Sequence, residues 1–159
     1  MEDNKPNTYP VNFPIVVAWG DMDAFGHVNN TVFFRYFEST RIAYMELIEA
    51  MRPDSLEFSP VVASARCDFL ASVVYPDTVV GQTRVSKLGN SSFTMEYQLT
   101  SQAQGKVVAR GEAVIVNIDP ATGRGRPVPD DMRRRIARLE GAQDESGEGG
   151  PAPEQKRPL

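Results

Sequence analysis

An α+β fold, with one long helix packed on a five-stranded and mainly antiparallel sheet, follows from two patterns in the chain. Apolar residues recur at helical spacing after Thr31, and β-forming residues dominate from about Ser59 to Ile118 with short turn signals between them. Length sets the scale. A chain of 159 residues builds one sizeable core, so residues 1–140 are expected to form a single domain centred on about 11–120.

Residues 1–10 are polar and carry two prolines, which predicts a loose lead-in. The run 11–19 is rich in β-formers and predicts the first strand. A polar loop follows. In the helix after it, Val32, Phe33, Tyr36, Phe37, Ile42, Ala43, Leu47 and Ile48 form the apolar set, with Arg35, Glu38, Arg41 and Glu46 interleaved. Asn29 or Asn30 can cap this helix, because an Asn oxygen accepts from first-turn N–H groups, and Pro53 is expected to close it.

Strands are predicted over 61–74, 78–88, 92–101 and 106–117. Tyr75-Pro76-Asp77, Gly89-Asn90 and Gln104-Gly105 punctuate them, and such short turns favour antiparallel neighbours. Residues 119–123 form a turn, and 129–139 a short C-terminal helix with acidic residues leading and basic ones following, as the helix dipole prefers. From 141 to 159 almost nothing is apolar, so that tail is expected to be disordered. An open sheet leaves an edge strand to be covered, which predicts a homodimer or a homotetramer of dimers.

The net charge of −4 argues against a nucleic-acid partner held by a basic face. One cysteine, Cys67, excludes an internal disulfide framework and a cysteine-based zinc site, and it reads as a small buried strand residue. No signal-peptide pattern and no apolar run of membrane-spanning length is present, so a soluble, cytoplasmic protein without a membrane partner is expected.

The densest chemistry lies between the first strand and the helix. Within Trp19-Gly20-Asp21-Met22-Asp23-Ala24-Phe25-Gly26-His27-Val28-Asn29-Asn30 fall two carboxylates, the only histidine and two tandem asparagines. A surface turn does not need that density. A site that sets a carboxylate beside a helix N-terminus does, because free N–H groups there can meet an oxygen-bearing substrate. A lone Asp in such a loop would be an Asx-turn residue, but these neighbours favour a functional Asp23. Two Asp and one His make a poor metal site without a second ligand cluster, and no cofactor is implied.

Asp21-x-Asp23-x-x-Gly26-His27-Val28-Asn29-Asn30, followed by Phe34, Tyr36-x-Glu38 and Arg41, resembles the hotdog-fold acyl-CoA thioesterases of the 4-hydroxybenzoyl-CoA thioesterase type. The likeness spans about residues 11–120 and is most specific in the loop. It implies a hotdog fold, in which the sheet wraps the long helix, and hydrolysis of an acyl- or aryl-CoA thioester to the free acid and CoA. By that resemblance Asp23 is the catalytic carboxylate, acting either as nucleophile or as general base. An Asp carboxylate is ionised at neutral pH and can serve in either role. The resemblance assigns polarisation of the thioester carbonyl to the backbone N–H of Asn30. Independently, an N–H at a helix start is an oxyanion donor whose removal costs ~10²–10³ in rate.

Imidazole ordinarily titrates near neutrality, yet no Ser or Cys stands beside His27 to be activated, so an orienting or pocket-lining place is expected for it. Asp21 is expected to hold the loop through backbone N–H groups, Gly26 to permit a turn, and Asn29 to cap the helix or touch substrate. The helix aromatics exceed what one packing stripe requires, which nominates Phe34 as a pocket residue. Glu38 and Arg41 stand three apart and can pair. For the phosphates of CoA the resemblance points to Lys87, Asn90, Ser91 and Ser92, with Arg66, Arg84, Arg110 and the run Arg133-Arg134-Arg135 as further basic candidates; ordinary hairpin or surface chemistry explains each as well. Two other readings share this fold: a module that binds acyl-CoA or acyl carrier protein without turnover, which loss of Asp23 would favour, and a dehydratase, whose Asp/His spacing this loop does not match.

Overall fold

A computed structural model of the chain describes residues 8–145. In chain order it contains β1 (Val11–Val16), a short 3-10 turn (Trp19–Asp21), α1 (Asn30–Leu47), β2 (Pro60–Phe69), β3 (Thr78–Leu88), β4 (Ser92–Ser101), β5 (Lys106–Asn117) and α2 (Asp130–Glu145). All five strands join one antiparallel sheet in the order β1-β3-β4-β5-β2, with α1 against its inner face. This is the hotdog arrangement expected from the sequence.

Alternation explains the packing. Phe93, Met95, Tyr97, Leu99 and Ser101 of β4 are buried while their neighbours face outward. The inner face meets Phe33, Tyr36, Phe37, Thr40, Ala43 and Tyr44 of α1. Two strand glycines set how closely the helix approaches: a Cβ at Gly81 would overlap Thr40 Oγ1, and one at Gly111 would overlap the Phe37 ring and stand 2.6 Å from the Arg66 carbonyl oxygen. Strand β2, by contrast, is exposed along nearly its whole length, as an unpaired edge would be.

Several boundaries differ from the sequence expectations. Strand β1 stops at Val16, and the chain turns at Trp19–Asp21 instead of continuing extended. Helix α1 stops at Leu47, well before Pro53, because Glu49 adopts a left-handed φ of 55°. The Glu49 N–H then donates to the Glu46 carbonyl at 3.0 Å and the Ala50 N–H to that of Met45 at 2.9 Å, closing a Schellman motif without glycine.

Strand β2 ends at Phe69, not at residue 74, since the N–H groups of Leu70 and Ala71 both converge on the Val108 carbonyl and the chain leaves the ladder. Residues 70–77 then cross the end of the sheet. β2 and β3 are therefore not neighbours, although their short connection suggested it.

Helix α2 is longer than 129–139, and residues 141–145 are helical where disorder was expected. The rest of the expected tail, 146–159, and residues 1–7 of the lead-in lie outside the described residues. The contacts of α2 are structural. Arg133 Nη2 donates to the carbonyls of Gly89 and Asn90, Arg135 Nη1 donates to that of Ile48 at 3.1 Å, and Glu140 accepts from Tyr44 Oη at 2.6 Å and from the Val85 N–H at 2.7 Å. Burial first, then the charge and hydrogen bond of Glu140, push the Tyr44 phenol far above its ordinary range, so it stays a neutral donor. Among the described residues no helix is long and apolar enough to cross a membrane.

Candidate active site

The loop between β1 and α1 is a small hairpin in its own right. Met22 bridges Val28, the Asp23 N–H donates to the His27 carbonyl at 3.0 Å, and the Gly26 N–H returns to the Asp23 carbonyl at 3.0 Å. Gly26 turns the chain at a φ of 81°, where a side chain would be strained. One flank of the hairpin is tied to the 70–77 crossing, through the Val28 N–H and the Val73 carbonyl at 2.8 Å.

Each polar side chain of the motif has a distinct place. Asp21 Oδ2 accepts from the Ala18 N–H at 2.9 Å and from Tyr36 Oη at 2.8 Å, fixing the loop to the second turn of α1. Burial, the hydrogen bond to Asp21 and its charge raise the Tyr36 phenol beyond its usual range, so this donor too stays protonated. Asn29 is the N-cap: its Oδ1 accepts from the Thr31 N–H at 2.9 Å and from Thr31 Oγ1 at 2.7 Å. The other end of the same amide, Nδ2, donates to Asp23 Oδ2 at 2.9 Å. Asp23 Oδ1 accepts from the Phe25 N–H at 2.8 Å, which is the Asx bond of an ordinary turn.

Asp23 and Asn29 face a cleft of about 500 Å³ lined also by Phe25, His27, Asn30 and Phe33, with Phe69 and residues 70–72 opposite. The Asn30 N–H, at the first position of α1, has no acceptor among the described residues. A half-buried carboxylate held by two donors thus shares a cleft with an unpaired helix-start N–H. That pair is what attack on a carbonyl requires: a charged oxygen on one side and a dipole for the developing oxyanion on the other. His27 is exposed on the cleft wall, and its ring has no hydrogen-bond partner among the described residues.

The structure therefore brings Asp23, His27, Asn29 and Asn30 into one cleft, with Asp21 and Gly26 shaping the loop behind them. It does not bring the remaining candidates there. Phe34 lines a separate cavity on the next turn of α1. Lys87, Asn90, Ser91 and Ser92 sit at the β3–β4 turn, beside the Pro60 end of the sheet, whereas the cleft lies at the Phe69 end. With ten residues in β2, the two ends stand roughly 30 Å apart at ~3.3 Å per residue.

Arg66 pairs with Asp68 at 3.7 Å, Arg84 with Glu96 at 2.8 Å, and Arg110 reaches Gln98 at 3.4 Å. Glu38 turns to Arg35 at 3.8 Å instead of pairing with Arg41. Cys67 is a half-buried strand residue whose thiol is pushed up to about 11, chiefly by burial and then by Asp68. Among the described residues no three His, Cys, Asp or Glu side chains are grouped to hold a metal ion.

Sequence reasoning missed the wall formed by residues 70–72 and the Tyr36 anchor. The Tyr75-Pro76-Asp77 turn signal marked where the crossing ends, but the apolar run before it hid where it begins.

Residues 17–136 match the family described as the thioesterase-like superfamily. A thioesterase from Thermus thermophilus, crystallised with coenzyme A and zinc, is 38% identical, with 85% of this chain and 97% of that one aligned at a TM-score of 0.74. A thioesterase-superfamily structure from Jannaschia sp. CCS1 is 28% identical over 86% of each chain, with a TM-score of 0.75. The Bacillus subtilis protein YsmA is 30% identical over 122 residues, 77% of this chain and 82% of its own length.

Proposed function

The chain belongs to the thioesterase-like superfamily and is a thioester hydrolase, and from that premise we propose that it cleaves an acyl- or aryl-CoA thioester with Asp23 as the acting carboxylate. One observation carries this reading. Asp23, held by Asn29 Nδ2 and the Phe25 N–H, faces the same cleft as the Asn30 N–H, which has no acceptor among the described residues. The kinship with 4-hydroxybenzoyl-CoA thioesterases is part of the proposal and rests on the loop motif.

The thioester carbonyl oxygen points at the Asn30 N–H, so negative charge gathers where the helix dipole favours it. In the nucleophilic route an Asp23 oxygen bonds to the carbonyl carbon, the C–S bond breaks, and CoA leaves as thiolate. Water then opens the mixed anhydride to the free acid and restores the carboxylate. In the general-base route Asp23 takes a proton from water, whose oxygen attacks the same carbon, and the proton ends on the departing sulfur. The two bonds that hold Asp23 serve both routes by aiming its oxygens. His27 orients substrate from the cleft wall.

The protein works as a homodimer in this proposal. Antiparallel pairing of the exposed β2 edge with a second copy turns the β3–β4 turn of that copy toward the cleft end of the first. Lys87, Asn90, Ser91 and Ser92 can then meet CoA across the interface.

Release of free thiol from a panel of acyl- and aryl-CoAs tests the reading, with wild type beside Asp23→Asn. The expected result is turnover of one thioester class and a loss of at least about 10²-fold in the variant. Binding of a CoA ester by wild type without turnover of any would replace hydrolysis with a binding module.

A further inference from the structure

A second cavity, of about 240 Å³, lies farther along the seam between α1 and the β2 side of the sheet. Phe34, Phe37 and Tyr97 supply its aromatic walls and Val62, Ala65 and Ala113 its small apolar ones; Glu38 and Arg41 complete the lining. The two cavities abut at one aromatic pair. Phe69 lines the catalytic cleft, Phe34 lines the second cavity, and their rings meet edge to face with centroids 6.4 Å apart.

Helical spacing puts Asn30, Phe34, Glu38 and Arg41 in one row (i, i+4, i+8, i+11), which runs from the oxyanion N–H to the far end of the seam. Along the axis that row measures about 16 Å at ~1.5 Å per residue, and Arg41 leans back toward the helix start.

Arg41 is the unexplained group. Its guanidinium is half-buried, yet among the described residues Nη1 donates only to the neutral Tyr97 hydroxyl at 3.1 Å. Among the described residues no carboxylate stands within ion-pair distance of it. The one carboxylate in the lining, Glu38, is exposed and turned to Arg35. A cation in apolar surroundings is costly unless it is paired, and a guanidinium presents a planar fork of donors that matches a carboxylate.

We propose that the second cavity is a distal acyl subsite, in which Arg41 binds a carboxylate at the far end of the acyl group. The preferred thioesters are then ω-carboxyacyl-CoAs whose chain passes the Phe34–Phe69 pair. This inference rests on the hydrolase reading given above and narrows its substrate class.

The test compares adipoyl-, suberoyl- and sebacoyl-CoA with hexanoyl-, octanoyl- and decanoyl-CoA, alongside aryl-CoAs, on wild type, Arg41→Met and Arg41→Lys. Wild type is expected to favour the ω-carboxy ester at one matched length by about tenfold to hundredfold in kcat/KM, the range of a charge-assisted pair. Arg41→Met is expected to erase that ratio, and Arg41→Lys to restore part of it.

Equal or better cleavage of the plain esters by wild type overturns the inference and leaves hydrolysis standing, whatever the variants do. Cleavage of aryl-CoAs alone does the same. If Arg41→Met converts a dimer to monomer and both series fall together, a second copy fills the cavity and the inference also fails. No cleavage of any ester removes the hydrolase reading itself.

Discussion

Replacing Asn29 with serine divides two jobs that one amide performs. Its Oδ1 caps α1 through Thr31, and its Nδ2 holds Asp23 Oδ2 at 2.9 Å. Serine is as good an N-cap as asparagine, so the capping contribution changes by only a few tenths of a kcal/mol in Asn29→Ser and falls by about 1 kcal/mol in Asn29→Ala. Alanine has no donor, and the serine hydroxyl, one bond shorter than the amide nitrogen and turned to the cap, does not reach Asp23 Oδ2. A hydrogen bond to a charged group contributes about 1.5–3 kcal/mol, with the lower end suited to this partly exposed pair. That loss lowers the stability of both variants by about 1.5 kcal/mol, and in the proposed mechanism the misplaced Asp23 slows hydrolysis by about tenfold or more.

Asn29→Asp gives the complementary result. Aspartate caps well and suits the helix dipole, worth ~0.3–1 kcal/mol. It also sets a second carboxylate against Asp23 at near-contact distance, where repulsion is about 4 kcal/mol at an effective dielectric constant of ~20. Repulsion wins, and it raises the apparent pKa of the pair. Because only the doubly ionised form is repelled, the stability penalty is absent at low pH and appears as pH rises through that raised value. Activity, which in the proposed mechanism needs a charged Asp23, moves to higher pH in step. Urea unfolding and thiol-release rates across pH measure both effects. Serine restoring activity together with stability would refute the argument, since the Asn29–Asp23 bond would then be idle.

Two further outcomes concern the scaffold. Gly111→Ala drives a methyl against the Phe37 ring and the Arg66 carbonyl, so urea denaturation should show a loss of about 1–3 kcal/mol with α1 displaced from the sheet. Asn117 is fully buried, accepts from the Ser59 N–H at 2.7 Å and donates to the carbonyls of Glu57 and Pro127 at 3.0 Å. Asn117→Ala strands those groups and should lower stability by about 2–4 kcal/mol, while an unchanged midpoint would show that water replaces the amide.

The strands that pair with neighbours on both sides were the legible part of the fold. β3, β4 and β5 begin and end where the residues indicate, because Gly89-Asn90 and Gln104-Gly105 force turns and the burial alternates between them. At β2 the same reasoning overran. Val73 and Val74 look like strand residues, but Val73 is buried in the crossing, and a local pattern does not distinguish a buried crossing from a strand. The end of α1 was hidden for a similar reason: Glu49 gives no local sign of a left-handed turn that the Arg135 contacts help to hold.

Within the loop, a polar cluster before a helix pattern marks the candidate site, and residue types narrow the cap to two asparagines, of which Asn29 fills the place. That a single amide serves both cap and carboxylate is a matter of angles, which residue types do not encode. Phe34 shows the converse. An aromatic surplus marks it, but residue types do not tell that it lines the second cavity and meets the Phe69 ring edge to face.

The crossing at residues 70–77 has a consequence for how such a protein diversifies. It is tied to the Asp23 hairpin by a backbone bond, the Val28 N–H to the Val73 carbonyl, so that tie does not depend on the identity of either side chain. The facing wall at Leu70, Ala71 and Ser72 can therefore be exchanged for larger, smaller or more polar residues while Asp23 and the Asn30 N–H keep their spacing. In the proposed mechanism the wall that faces the acyl group thus lies on a different segment from the groups that break the bond. Substitutions along this strip are then a route to a changed substrate preference that leaves Asp23 and the Asn30 N–H in place.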